Sequence, residues 1–416
     1  MKHNEMEHNQ MKRNEMKRNE ESTQPQAVQL WDQVAPHRAP FGMSDTFGGV
    51  RSTGSLATYT DADTWYPSWA SDGNLYSPFT DGDVQGFVCM SVGGEASTGH
   101  ARISGENPMD LVIDDVRSEA ASPGPYGGRY PGGSLVHDGV WYYGTYCLED
   151  SGRGLNWDIL GPLVGFRVSH DLGETWTETP HTPQSPIFSE SGLDGNWVKF
   201  GAPHFVDFGR NMEASPDGYA YLVGHGSMTS AQNLSWISGD DVFLARVIPS
   251  PQTINDPGSW QFYSGRDKGT DLWSSNVVDA RPIASWPGHM GCVTVTYHPQ
   301  TKKYLMCVTD GWPTVKEMSS YILESDSLTG VWSMVAYLDY FGKQAYFLNF
   351  PSKFISTDGT RLWLSYSANF TNTAPPPEFA HITSFIQTDI ESDPPGSRYA
   401  MCLLELELVS PNLKKK

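Results

Sequence analysis

The chain has 416 residues, with 48 acidic against 28 basic side chains and a net charge of −20. An acid excess of that size argues against nucleic acid and against an anionic membrane surface as partners. No apolar run is long enough to span a bilayer, while 38% hydrophobic residues supply an ordinary core.

Residues 1–24 are a polar near-repeat with Met as the main apolar type, and they read as a disordered leader or tag. Residues 25–410 form one domain, and 411–416 a basic tail. Within the domain a strand–turn–strand pattern recurs over residues 63–82, 132–150, 201–226, 291–311 and 350–370. Four of the five copies turn at Asp-Gly, with Asp72, Asp138, Asp217 and Asp358 in front of the glycine, the dipeptide suited to a tight turn with positive φ. Third apolar runs follow at 164–170, 241–247, 320–325 and 400–408. Fourth runs, each with a Trp, follow at 175–180, 259–265 and 331–338. One β unit repeated five times predicts an all-β chain forming a single five-bladed β-propeller. The last unit lacks a fourth strand, and residues 28–34 are expected to supply it and so remove the open sheet edge. No signature marks residues 91–121, 151–160, 267–279 or 371–395.

Five cysteines, Cys89, Cys147, Cys292, Cys307 and Cys402, lack metal spacing and mostly sit in apolar strands, which suits buried free thiols. Cys292 and Cys307 lie on opposite arms of one hairpin and form the one candidate bridge. No zinc-type His spacing occurs. No cofactor is expected; the one alternative is a structural cation in the central channel. With no signal segment in the chain, the reading is a secreted or extracytoplasmic protein whose signal peptide is absent from it, with a cytoplasmic one as the alternative.

In a propeller the inner strands all run the same way, so first-strand starts and second-strand ends share one face, opposite the Asp-Gly turns. That face should collect Asp63, Trp65, Arg129, Glu149, Asp150, His204, His225, His289, Asp310, Asn349, Lys353 and Asn369, with Asp81 among the strand ends. Carboxylates, imidazoles and two basic groups around one mouth suit a substrate site; a solvated acidic rim is the alternative. Asp63 lies nine residues before Asp72 and Asp81 nine after it, so a hairpin folded at Asp72 sets them directly opposite. Two carboxylates that close cannot both ionise cheaply. One neutral acid beside one carboxylate is the equipment for hydrolysing a glycosidic bond. Asp63 and Asp81 are therefore the candidate catalytic pair, and the remaining members of the set are candidate substrate contacts. Aromatic residues at 12% suit a carbohydrate partner. The oligomeric state is left open.

Three segments carry a resemblance, those at 62–83, at 241–265 and at 349–370. They resemble the five-bladed propeller glycoside hydrolases, and the endo-D-arabinanase family in particular, within the arabinanase and xylosidase superfamily. The resemblance runs from about residue 46 to 408 and implies arabinan or another furanoside-containing polysaccharide as substrate, with the two acids of the first hairpin, Asp63 and Asp81, as the catalytic pair. His204 falls where the wider superfamily is expected to place a general-acid Glu. The segment SHDLGETW at 169–176 resembles the Asp-box turn of sialidase-like propellers, which implies a structural Asp171. Two other functions fit the composition. A polysaccharide lyase would take its base from His204, His225 or Tyr143 and neutralise a uronate with Arg129 or Lys353. A carbohydrate-binding propeller would need no catalytic pair.

Overall fold

A computed structural model describes residues 28–32, 36, 38–152, 157–229, 234–311, 317–370 and 393–411. The leader at 1–24 and the tail at 412–416 lie outside the described residues. The strands build five sheets in succession along the chain, antiparallel except where Gly42–Met43 runs parallel to Ser333 and Met334 at the edge of the fourth. The first contains Asp61–Asp63, Leu75–Val84, Ser97–Ser104 and Val112–Ala120; the second Gly128–His137, Val140–Glu149 and Ile159–Ser169. In the third, Gly201–Phe205, Ala220–Gly226, Asp241–Val247, Gln261–Asp267 and Thr270–Ser274 follow in order. The fourth runs through Gly291–His298, Lys303–Asp310, Ser319–Ser325 and Ser333–Leu338, and the fifth through Tyr346–Asn349, Arg361–Ser367 and Met401–Leu408. Inner strands of successive sheets pack on one another, and the chain is a five-bladed β-propeller. Among the described residues helix is limited to four 3₁₀ turns of three residues, and none is long and apolar enough to cross a membrane.

Local chemistry explains the hairpins. Gly73, Gly139, Gly218 and Gly359 have φ of 92°, 76°, 78° and 72°, values that cost glycine little and most other residues much. Asp72 closes its own turn, accepting from the Asn74 amide at 2.9 Å. The Asp-box segment behaves as a structural turn too. Asp171 accepts from Thr175 Oγ1 at 2.6 Å, the Thr175 amide at 2.8 Å and Ser169 Oγ at 2.8 Å, bonds that pull its carboxyl down to about 2. Trp176 then packs edge-on between Trp141 of its own blade and His100 of the first.

The ring closes differently from the expectation. Gly49–Tyr59 is the strand that pairs with Met401–Leu408, while Leu30–Asp32 adds a further strand outside it. The segment 91–121, unreadable in sequence, holds the outer two strands of the first blade. Residues 175–180 give only one bridge, Val168 with Thr177, rather than a strand. All five cysteines are free and buried, so Cys292 and Cys307 do not bridge.

Every inner strand carries one more residue than its partner, inserted at the same station. Gly132 and Ser134 face Gly144 and Tyr143; Gly291 and Thr294 face Thr309 and Cys307; the third and fifth blades repeat the slip. The extra residue coincides with a left-handed backbone, at Thr64 (66°), Gly133 (55°), Ala202 (39°), Cys292 (44°) and Phe347 (53°). Such bulges bend a strand and re-aim its side chains. They recur at five non-equivalent sequences, only one of them glycine, so the ring geometry imposes them.

Closure by Gly49–Tyr59 yields a direct test. A chain shortened to begin at Thr60 should lose cooperative thermal unfolding, because Met401–Leu408 then becomes an unpaired edge over an exposed apolar face. A sharp melt within a few degrees of the full chain would overturn that assignment.

Candidate active site

The hairpin register centred on Asp72 holds above and below the acid pair. Trp69 faces Leu75, Ser68 faces Tyr76, and Asp61 faces Asp83. Between them it slips by one, so Asp63 faces Thr80 rather than Asp81. The cause is a pair of bulges. One is the inner-strand bulge at Thr64, common to all blades; the other lies on the second strand, where Asp81 has φ 47° and Gly82 φ 156°. Gly82 is required there, since a Cβ would collide with the Asp61 carbonyl.

The second bulge hands Asp81 to a different partner. Its Oδ1 accepts from the Ser91 amide and its Oδ2 from Ser91 Oγ, both at 2.6 Å. Asp63 is buried beside the phenols of Tyr66 from the first blade, Tyr130 and Tyr146 from the second and Tyr346 from the fifth. Its Oδ2 accepts from Tyr346 Oη and its Oδ1 from Thr64 Oγ1, each at 2.8 Å. Burial raises the Asp63 carboxyl well above the usual carboxylate range, and the neighbouring Asp81 charge adds to it; the bonds from Tyr346, Thr64 and Tyr399 oppose the shift without reversing it. Burial pushes Asp81 up to about 6, with Ser91 restraining it. Of the two, Asp63 is the carboxyl raised further, and so the one that holds its proton to higher pH.

The other candidates scatter. Trp65 is core, stacked on Phe79 at 5.2 Å with its indole N–H on the Ala62 carbonyl. Arg129 is buried, with its guanidinium donating to Thr145 Oγ1 at 2.8 Å and to the Ser122 carbonyl at 2.7 Å. Lys353 reaches the opposite face, where it donates to the Gly73 carbonyl of the first hairpin turn at 2.7 Å and pairs with Glu106 at 3.0 Å. Asp150 is exposed and caps its own turn at the Gly152 amide, and Glu149 accepts from the Asp150 amide. Asn369 is buried and donates to the Ser397 carbonyl. Each of these side chains meets a nearby backbone group that its strand position alone does not reveal.

Two imidazoles and one amide line the interior instead. His225 is fully buried and donates to the Ser235 carbonyl at 2.8 Å; burial pushes it down to about 4. His204 lies against Tyr66, ring centroids 3.6 Å apart, and burial and then His225 hold it well below the usual range. Asn349 donates to the Trp65 and Phe347 carbonyls. His204, Tyr66, Ser134, Thr294 and Asn349, one from each blade, line a cavity in the channel beneath the acids. His289 and Asp310 pair at 2.8 Å at the mouth of the fourth blade. Sequence reasoning missed Ser91, Thr64, Tyr346 and Tyr399. Tyr346 begins the inner strand of the fifth blade, the rule that picked out Asp63; the others carry no signal.

The chain matches no family model and no curated protein. It is similar to several solved structures. An α-L-arabinofuranosidase from Podospora anserina is 10% identical, with 92% of this chain and 98% of that one covered and a TM-score of 0.42. The endo-arabinase of Bacteroides thetaiotaomicron is 12% identical over 79% and 93%, TM-score 0.37, and a family 117 glycoside hydrolase from Zobellia galactanivorans 11% over 92% and 90%, TM-score 0.43. At such identities and scores the likeness concerns fold and carries nothing about chemistry.

The Asp63 environment sets a stability test. A carboxyl raised in the folded state adds stability below its unfolded pKa and loses it as pH rises through the folded value. Asp63→Asn, which does not titrate, should therefore melt above wild type at pH 8 and gain less at pH 5. Equal differences at both pH values would show that Asp63 is not held neutral.

Proposed function

We propose that this propeller is a glycoside hydrolase acting on a neutral, furanoside-containing polysaccharide such as arabinan, with Asp63 and Asp81 as its catalytic pair. The observation that carries the reading is a pair of neighbouring carboxyls in separate settings, Asp63 buried on Tyr346 and Thr64 and raised the further by that burial, Asp81 held by Ser91. Asp63 donates its proton to the glycosidic oxygen as the C–O bond breaks. Asp81, ionised, acts on the anomeric carbon or on the attacking water. Tyr346 and Thr64 hold the Asp63 carboxyl, and Ser91 holds that of Asp81. Secretion fits a polymeric carbohydrate substrate, which lies outside the cell.

The lyase reading loses ground on one observation. The cations it needs, Arg129 and Lys353, are committed to the Ser122 and Gly73 carbonyls. Arg398, the basic side chain beside Asp61, is itself paired with that residue at 2.9 Å. A uronate would meet carboxylates rather than cations there, which like-charge repulsion penalises.

Incubation with arabinans, galactans and uronate-containing polysaccharides, with products weighed by mass spectrometry, tests the class. Products that gain water support hydrolysis; unsaturated products would replace it with elimination, and binding without any product would leave a carbohydrate-binding propeller. Asp63→Asn and Asp81→Asn should each lower kcat by about 10²–10⁴-fold, the usual worth of acid–base assistance. Asp72→Asn, a turn substitution, should stay near wild type. Activity should climb as pH rises through about 6, where Asp81 ionises, and fall again once Asp63 loses its proton. An active Asp81→Asn beside a dead Asp72→Asn would end the assignment.

A further inference from the structure

The fourth blade repeats the station that Asp81 occupies in the first. Thr309-Asp310-Gly311 stands where Thr80-Asp81-Gly82 stands, with Thr309 facing Gly291 and Thr80 facing Asp63, each pair just ahead of the inner bulge. Here the buried carboxylate serves an imidazole. Asp310 Oδ1 pairs with His289 Nδ1 at 2.8 Å, and Oδ2 accepts from Tyr337 Oη at 2.8 Å. The Asp310 side chain is 7% exposed and that of His289 40%. The imidazole lies almost flat on Trp286, centroids 4.3 Å apart at 25°. The His289 carbonyl is fixed in turn by Tyr321 Oη at 2.8 Å.

These contacts immobilise the ring. Nδ1–H faces a carboxylate in both charge states, which leaves Nε2 as the edge turned outward, and it has no partner among the described residues. Burying Asp310 raises its carboxyl, and His289 and Tyr337 offset that only in part. A structural pair on the rim gains little from such a cost. An oriented hydrogen-bonding edge on the substrate face explains it.

We propose that His289, oriented by Asp310 and Tyr337, forms a distal subsite that hydrogen-bonds hydroxyls of a neutral glycan chain some residues away from the bond being cleaved. The proposal rests on the hydrolase reading of the same mouth. The fifth blade separates the fourth from the first. The dyad and the acid pair therefore stand on non-adjacent blades around one mouth, and a substrate that engages both is an extended chain rather than a single sugar. The protein is then a reader of polymer, and its affinity grows with chain length.

His289→Ala and the milder Tyr337→Phe, measured on linear arabinan and a length series of its oligosaccharides, test this. The expected result is a KM roughly tenfold higher on the polymer for His289→Ala, the worth of one good hydrogen bond. The penalty should shrink as the chain shortens, with kcat little changed, and Tyr337→Phe should move KM the same way by less. A penalty independent of chain length, or none, overturns the subsite while leaving the hydrolase reading intact. If wild type cleaves nothing, the hydrolase reading has failed, and the subsite is judged by affinity electrophoresis in the same polymers. Retardation that falls on removing His289 supports it; unchanged or absent retardation overturns it.

Discussion

The whole ring depends on one strand pairing. Met401–Leu408 has Arg361–Ser367 on one side and Gly49–Tyr59 on the other, in register from Met401 with Tyr59 to Leu408 with Val50. That ladder joins parts of the chain some 350 residues apart, a non-local contact whose loop-closure cost is met only once the intervening blades have formed. The ion pair along it, Arg51 with Glu407 at 3.4 Å, is half-exposed and contributes little. The ladder holds through its backbone bonds and through Val50, Leu56, Leu404 and Leu406, all buried. Without it no inner strand is fixed relative to its neighbours, and the acid site, which draws on the first and fifth blades together, has no geometry.

Within the closed ring the bulges do the positioning. A left-handed Thr, Ala, Cys or Phe costs on the order of 1–3 kcal/mol and persists only where the surroundings over-determine it. Four of the five blades accept that strain, while the second escapes it with Gly133. The first blade alone, among the hairpins described, adds a bulge on the second strand directly beside the acids. The inner bulge at Thr64 already sets Asp63 opposite Thr80, and the second restores the register at Asp61 with Asp83 while leaving Asp81 without a cross-strand partner. With it, Asp81 is drawn to Ser91 and Asp63 to Tyr346, and among the described residues no hydrogen bond joins the two carboxyls. Two environments follow, and burial raises both carboxyls, Asp63 the further.

The architecture was legible because propeller hairpins announce themselves through Asp-Gly turns and Trp-bearing outer strands. Where the sequence misled, the reason is physical. Gly49–Tyr59 is rich in Gly, Ser and Thr and half-exposed along part of its length, so it shows little apolar alternation. Residues 97–120 are outer strands of mixed burial. Bulges add one residue without changing composition, which is why a hairpin register correct at Trp69 and at Asp61 was off by one at Asp63. Asp63 and Asp81 stood out because charge at a strand end is conspicuous. Arg129 and Lys353 were misplaced because a long side chain reaches well beyond its Cα, and the nearest carbonyl, rather than strand polarity, decides where its head lies. Ser91 and Tyr399 are ordinary residues made important only by the fold.

The mouth and the channel below it divide the polar chemistry by charge. At the mouth of the first blade stand Asp61, Asp63, Asp81 and Asp83, with Arg398 paired to the outermost. Below, His204 and His225 are held neutral by burial, and Tyr66 and Asn349 bring no charge. A cationic imidazole beneath Asp63 would pull its proton away, since an opposite charge nearby favours the ionised acid. Neutral imidazoles and phenols preserve the elevated carboxyl. The depressed imidazoles and the raised Asp63 therefore have one cause, the dryness of the channel wall, and a change that admitted water or charge there would erase both together.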